Sequence, residues 1–155
     1  MPPCLSSLKP GHGKQGGSTY MDRNNRVLQL VTQAGYPDKE VAVSLPDFFE
    51  GNSDMGSIGV NIFPKQPTPQ EFYSIFLALK ASGKAEEILV RIADTEDDWF
   101  FTDTVYVIGS ISMEELRDAV KTLEPDEIYT DWLYDKPSNI PDFGSEKKVY
   151  SLWWD

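Results

Sequence analysis

The chain has 155 residues, of which 40% are hydrophobic and 25% charged, and it carries a formal net charge of −11. A chain of this length buries about two-thirds of its unfolded surface, which suffices for one core and falls short of two ordinary domains. The composition excludes wholesale disorder, no apolar run approaches the roughly 18 residues of a membrane helix, and no apolar secretory segment stands near the start.

Residues 1–20 (MPPCLSSLKPGHGKQGGSTY) have no hydrophobic periodicity and read as a flexible leader, with Met21 opening a single α+β domain over 21–155. Arg26–Thr32 is predicted as a strand, although its spacing also fits a helix. Val41–Val43 follows as a short strand and Leu45–Glu50 as a short helix stopped by Gly51. In Ser57–Phe63, Ile58, Val60 and Ile62 alternate with Gly59 and Asn61, so a first core strand is expected there. The stretch Gly51–Gly59 lacks the lysine and the spacing of a phosphate loop and is read as a turn.

Pro69–Ser82 is predicted as a helix. Thr68 and Glu71 supply a capping box, Pro69 suits the first helical position, and Phe72, Ile75, Phe76 and Leu79 form one apolar stripe before Gly83. Glu87–Ala93 alternates as a strand, and Thr104–Ile108, β-branched and aromatic throughout, reads as a central one. Ser112 and Glu115 cap a second helix over Met113–Thr122, with Leu116, Ala119, Val120 and Leu123 facing inward and Pro125 beyond its end. Glu127–Thr130 is a short strand, Asp135–Ser145 a long loop, and Val149–Trp154 a final strand that sends Trp153 and Trp154 to opposite faces.

From Ser57 the order is β-α-β-β-α-β with one further strand. That is the split βαβ, or ferredoxin-like, order. The expected architecture is a two-layer α+β sandwich: a mixed, largely antiparallel sheet, two main helices on one face, and extra N- and C-terminal strands extending or covering an edge.

Cys4 and His12 are the single cysteine and histidine, and both lie in the leader. One cysteine makes no internal disulfide and suits a reducing cytoplasm, the expected location. The body therefore lacks the residues for Cys–His or Ser–His–Asp catalysis and for Cys/His zinc sites, and no cofactor is implied. Every one of the 25 acidic residues falls at or after Asp22. Such a body repels nucleic acid and anionic membranes, and it attracts a basic protein partner.

Two clusters concentrate the acids. Asp94–Trp99 (DTEDDW) begins like a calcium loop, but Trp99 stands where glycine is needed and Val105 where the bidentate glutamate is needed, so no metal site is assigned. In the second, Glu124, Asp126, Glu127, Asp131 and Asp135 interleave with Tyr129, Trp132 and Tyr134. Carboxylates beside large rings are what a surface that grips Lys and Arg contains.

A small acidic α+β body without histidine or cysteine, bearing these acid–aromatic clusters, resembles the immunity proteins of bacterial toxin systems. The resemblance lies in size, charge and residue mix over about residues 22–155. It implies neutralisation of a cognate toxin, often a basic nuclease, by masking its active site.

The expectation is a non-enzymatic binding protein, an inhibitor of a basic partner. Its contact residues would be Asp97, Asp98, Trp99, Asp126, Glu127, Asp131 and Trp132, with none catalytic. The alternative is a ferredoxin-like enzyme or small-ligand module using carboxylates, with or without a divalent metal. A third is a homodimer formed through an exposed strand edge.

Overall fold

Thr68 and Ser112 each accept a hydrogen bond from the backbone N–H three residues on, and Glu71 and Glu115 reach back to the cap N–H groups. Both capping boxes are thus formed, and they start helices α3 (Pro69–Ala81) and α4 (Met113–Val120). The computed structural model describes residues 15–155, with side chains from Asp22 on. Cys4, His12 and the first fourteen leader residues lie outside the described residues. The remaining elements are α1 (Gln15–Gln33), β1 (Ala42–Ser44), α2 (Leu45–Phe49), β2 (Ala85–Arg91), β3 (Thr104–Gly109), a 3₁₀ turn (Lys121–Leu123), β4 (Glu127–Thr130) and β5 (Lys148–Trp153).

The five strands form one sheet in the order β1-β2-β3-β5-β4, and every neighbouring pair is antiparallel. β3, fully buried along its length, is the middle strand, as its unbroken β-branched and aromatic run requires. Strand periodicity sorts the side chains onto two faces. Val43, Ile88, Val90, Val105, Val107, Tyr150 and Leu152 join the helices in the main core, with Val27 and Val31 of α1, Phe48 and Phe49 of α2, Phe72 and Phe76 of α3, and Leu116 and Val120 of α4. The opposite face carries a smaller cluster of Ala42, Leu89, Tyr106 and Ile108, against which Trp132, Ile140 and Phe143 of the 131–145 loop pack. The fold is therefore the expected two-layer α+β sandwich, with the long loop lying across the helix-free face.

Three expectations change. The C-terminal strand β5 does not extend or cover an edge but runs inside the sheet, between β3 and β4. Arg26–Thr32 is not a strand but part of α1, which also takes in the end of the leader from Gln15. Only Val27 and Val31, spaced i and i+4, are buried there, while Leu28 and Leu30 stay exposed, so helical spacing prevails over alternation. Ser57–Phe63 is irregular. Gly59 holds φ +67°, Ser57 two residues before it donates its N–H to Asp54 C=O and closes a turn, and Ile62 N–H returns to Gly59 C=O. The Phe72 ring sits where a Cβ on Gly59 would be, so backbone and helix α3 approach too closely for a strand with side chains on both faces. Its place in the β-α-β-β-α-β order is taken by β1. β1 sits at the sheet edge beside β2, so the split crossover is realised once, by β3-α4-β4 with β5 between its strands.

Edge strand β1 is closed by a side chain. The Asn139 amide accepts from Ala42 N–H at 3.1 Å and donates to Ala42 C=O at 2.7 Å, as a neighbouring strand would. Asn139→Ala is expected to cost about 1–2 kcal/mol, because it leaves both backbone groups of the buried Ala42 unpaired. Urea denaturation would measure it, and an unchanged midpoint would count against the assignment.

Candidate functional site

Two places on the molecule gather charged and aromatic side chains. The first is on the helix-free face. Arg91 ends β2 with its side chain outside the main core, and Asp103 immediately precedes β3. The Arg91 guanidinium donates to both oxygens of Glu40, at 2.7 and 3.1 Å, and to Asp103 Oδ1 at 3.0 Å. It lies 3.6 Å from the centroid of the Tyr134 ring. Tyr134 Oη donates to Asp103 Oδ2 at 3.3 Å, and Thr104 Oγ1 to Oδ1 at 2.9 Å. Burial works against the charged guanidinium, but the Glu40 and Asp103 carboxylates outweigh it and hold Arg91 protonated above its ordinary range.

Beside this network Tyr106 is fully buried, its ring edge-on to Trp132 at 4.8 Å. Its hydroxyl has no hydrogen-bond partner among the described residues. Burial pushes the phenol pKa up; Arg91 opposes that, and Glu40, Tyr134 and Asp103 add to it. Tyr134 is raised too, by burial first and then by Asp103. Two carboxylates do converge here, but on a guanidinium that pairs with both. The arrangement fastens the 131–145 loop to the sheet.

The second place is the end of the sheet where β3 begins and β5 finishes. The register pairs Thr104 with Trp153 and Trp153 with Glu127, so the turn before β4 projects from this end. Here a cleft of about 200 Å³ is lined by Ile62, Phe63, Glu124, Asp126, Trp154 and Asp155, among others. Phe63 is 84% exposed, the most exposed of the large apolar side chains described. Asp126 Oδ2 accepts from the Asp155 N–H at 2.6 Å, and Asn61 donates to the Asp155 C=O, so chain segments far apart in sequence fix this rim.

Asp97 and Asp98 are exposed at the tip of the β2–β3 hairpin, which the Asp94–Phe101 bridge closes. Trp99 does not stand out as a surface anchor: it is 2% exposed, its Nε1 donates to Phe48 C=O at 2.7 Å, and Arg23 lies over its ring. The hairpin tip and Asp126–Glu127 project from the same end of the sheet, with β3 and β5 between them, a span of roughly 14 Å at the usual strand spacing. Asp131 lies at the other end of β4, with φ +80° and its carboxylate accepting from Trp132 N–H. Trp132 is half-buried against Tyr106 and serves the smaller cluster. Among the described residues, Asp97, Asp98, Asp126, Glu127 and Asp131 make no ion pair, whereas Glu40, Asp47, Glu86, Glu87, Asp103, Glu115 and Asp118 all do. No group of three or more His, Cys, Asp or Glu side chains is placed to hold a metal among the described residues.

The exposure of Phe63 has one signal in the sequence. In the alternation of Ser57–Phe63 it falls with Gly59 and Asn61, opposite the isoleucines. Arg91 carried a similar signal: a lone cation inside an apolar strand needs a buried partner.

The Uncharacterized protein YfbO family matches residues 22–152. The chain belongs to the YfbO family. It is similar to the Uncharacterized protein YfbO of Escherichia coli (strain K12), with 30% identity over 140 residues, which cover 88% of this chain and 99% of that protein. No solved structure matches the chain. The YfbO-family match covers Glu40, Arg91, Asp103 and Tyr134 of the first place and Phe63, Glu124 and Asp126 of the second, and stops short of Trp154 and Asp155. No helix among the described residues of this YfbO-family chain is long and apolar enough to cross a membrane.

Proposed function

We propose that the chain is a non-enzymatic, cytoplasmic binding protein that holds a basic protein partner, as an immunity-type inhibitor masking a toxin or nuclease would. The observation that carries this reading is the pairing of Phe63, 84% exposed, with Glu124, Asp126 and Asp155 around one cleft that no cation lines among the described residues. An exposed ring offers a partner an apolar anchor, and carboxylates without a counter-ion among the described residues leave their field for that partner. Charge then steers the encounter and the ring anchors it. The enzyme alternative needs carboxylates that converge on a ligand. Glu40 and Asp103 converge instead on Arg91.

The test begins with affinity capture from the source cells, followed by titration with the purified captured protein. Raising salt from 0.05 to 0.5 M is expected to weaken binding by about tenfold or more, through a slower association rate. Phe63→Ala is expected to weaken it at least about tenfold at either salt. Paired Asp126→Asn/Glu127→Gln and Asp97→Asn/Asp98→Asn variants show which acids share the contact. A partner bound equally well by all of these, in either salt, would remove the reading.

A further inference from the structure

The two edges of the sheet are treated differently. At β1 the outward N–H and C=O of Ala42 are taken by Asn139. At β4 the Asp131 N–H donates to Val149 C=O at 2.6 Å, and the register pairs Tyr129 with Ser151 and Glu127 with Trp153. In an antiparallel ladder, bonded and non-bonded positions alternate. Residues 127, 129 and 131 therefore address β5, and Ile128 and Thr130 send their N–H and C=O groups outward. No side chain or backbone among the described residues meets those groups. Clefts flank this edge at both ends. One of about 460 Å³ includes Met113, Thr130 and Val149, and one of about 410 Å³ includes Arg117, Glu124 and Ile128.

We infer that β4 is a strand-addition site, where an extended basic segment of a partner protein pairs with Ile128 and Thr130 as a sixth strand. Main-chain hydrogen bonds would supply the pairing, and the flanking clefts would receive alternate side chains. Charge selects the occupant. Among the described residues Glu124, Asp126, Glu127 and Asp131 make no ion pair along the edge, while of the nearby described cations Lys121 is held by Asp118 and Lys147 by Glu86, leaving Arg117 and Lys148. A second copy of the chain centred on Tyr129 would set Glu127 against Asp131 of its mate, a like-charge pair. The inference rests on the binding reading above and adds to it the mode of contact.

The probe is a decapeptide of alternating arginine and threonine, with its glutamate–threonine counterpart as the charge control. In an NMR titration at low salt, the Ile128 and Thr130 amides of the wild-type protein are expected to shift saturably and gain exchange protection with the basic peptide alone. Thr130→Pro removes an outward N–H without touching the β5 ladder. It is expected to weaken the peptide about tenfold or more, with a melting temperature close to that of the wild type. The wild-type amide protection stands as evidence even if that variant fails to fold. No saturable binding of the basic peptide overturns strand addition and leaves the Phe63 surface to be judged by its own titration. Binding that is salt-sensitive but unchanged by Thr130→Pro, or without protection of Ile128 and Thr130, keeps the acidic surface and overturns the strand mode. Sedimentation showing a dimer that Thr130→Pro dissociates assigns the edge to a second copy and overturns the basic occupant.

Discussion

Replacing Trp154 with alanine is expected to lower the unfolding free energy by about 3–5 kcal/mol. The indole is 2% exposed and meets Phe72 of α3 edge-on at 5.4 Å between ring centroids. Its Nε1 donates to Leu123 C=O at 2.8 Å, at the end of the 3₁₀ turn that follows α4. One side chain thus joins the end of β5 to both main helices, and its loss leaves a large cavity and an unpaired buried carbonyl. The melting temperature is expected to fall by roughly 10 °C. Trp153, on the opposite face of the same strand and only half-buried, is expected to cost less than half as much when replaced by alanine. Equal losses for the two, measured by urea denaturation, would contradict the face assignment.

Arg91→Met is the second large effect. The guanidinium is held by Glu40 and Asp103, and all three side chains retain only 15–23% exposure. Methionine preserves much of the apolar stem but leaves two neighbouring carboxylates without a cation in a half-dry site. Breaking a buried pair from one side costs about 3–5 kcal/mol; the residual solvent here reduces the expectation to about 2–4 kcal/mol. Asp103→Asn in the Arg91→Met background is expected to restore part of the loss, since it removes one stranded charge. A double-mutant cycle measures the coupling, and strictly additive effects would dissolve the network. Because Tyr134 packs on Arg91, the 131–145 loop is also expected to exchange amide protons faster in Arg91→Met.

Helices α3 and α4 were legible because their signals are local. A capping box needs four residues and an apolar stripe needs about two turns, and both were present at Thr68–Leu79 and Ser112–Leu123. β3, β4 and β5 were legible for the same reason. Ser57–Phe63 shows the limit of that reasoning. Its alternation is genuine, but the segment lies against the Phe72 ring and is bent at Gly59, and no property of seven residues reveals a ring that arrives from the next helix. In Arg26–Thr32, Val27 and Val31 satisfied both periods, and packing against the main core selected the helix.

The candidate site divides along the same line. Exposure of Asp97, Asp98, Asp126, Glu127 and Asp131 followed from charge, because ionised carboxylates stay in water unless paired. Aromatic residues carry no such instruction. Trp99, flanked by acids, is in the core through Phe48 C=O, and Trp132 leans on Tyr106, while Phe63 stands in solvent.

By itself the sequence determined the α+β class, the capped helices, the central strand, the absence of thiol and imidazole chemistry from residue 21 on, and the sign of the surface field. These depend on residue type and on spacings of a few positions. Only the tertiary structure decided which carboxylates are spent on Arg91 and which remain unpaired, which ring is exposed, and that Asn139 closes one sheet edge while β4 stays open. Those outcomes are set by contacts between residues as far apart as Ala42 and Asn139, whose proximity exists only once the chain has folded.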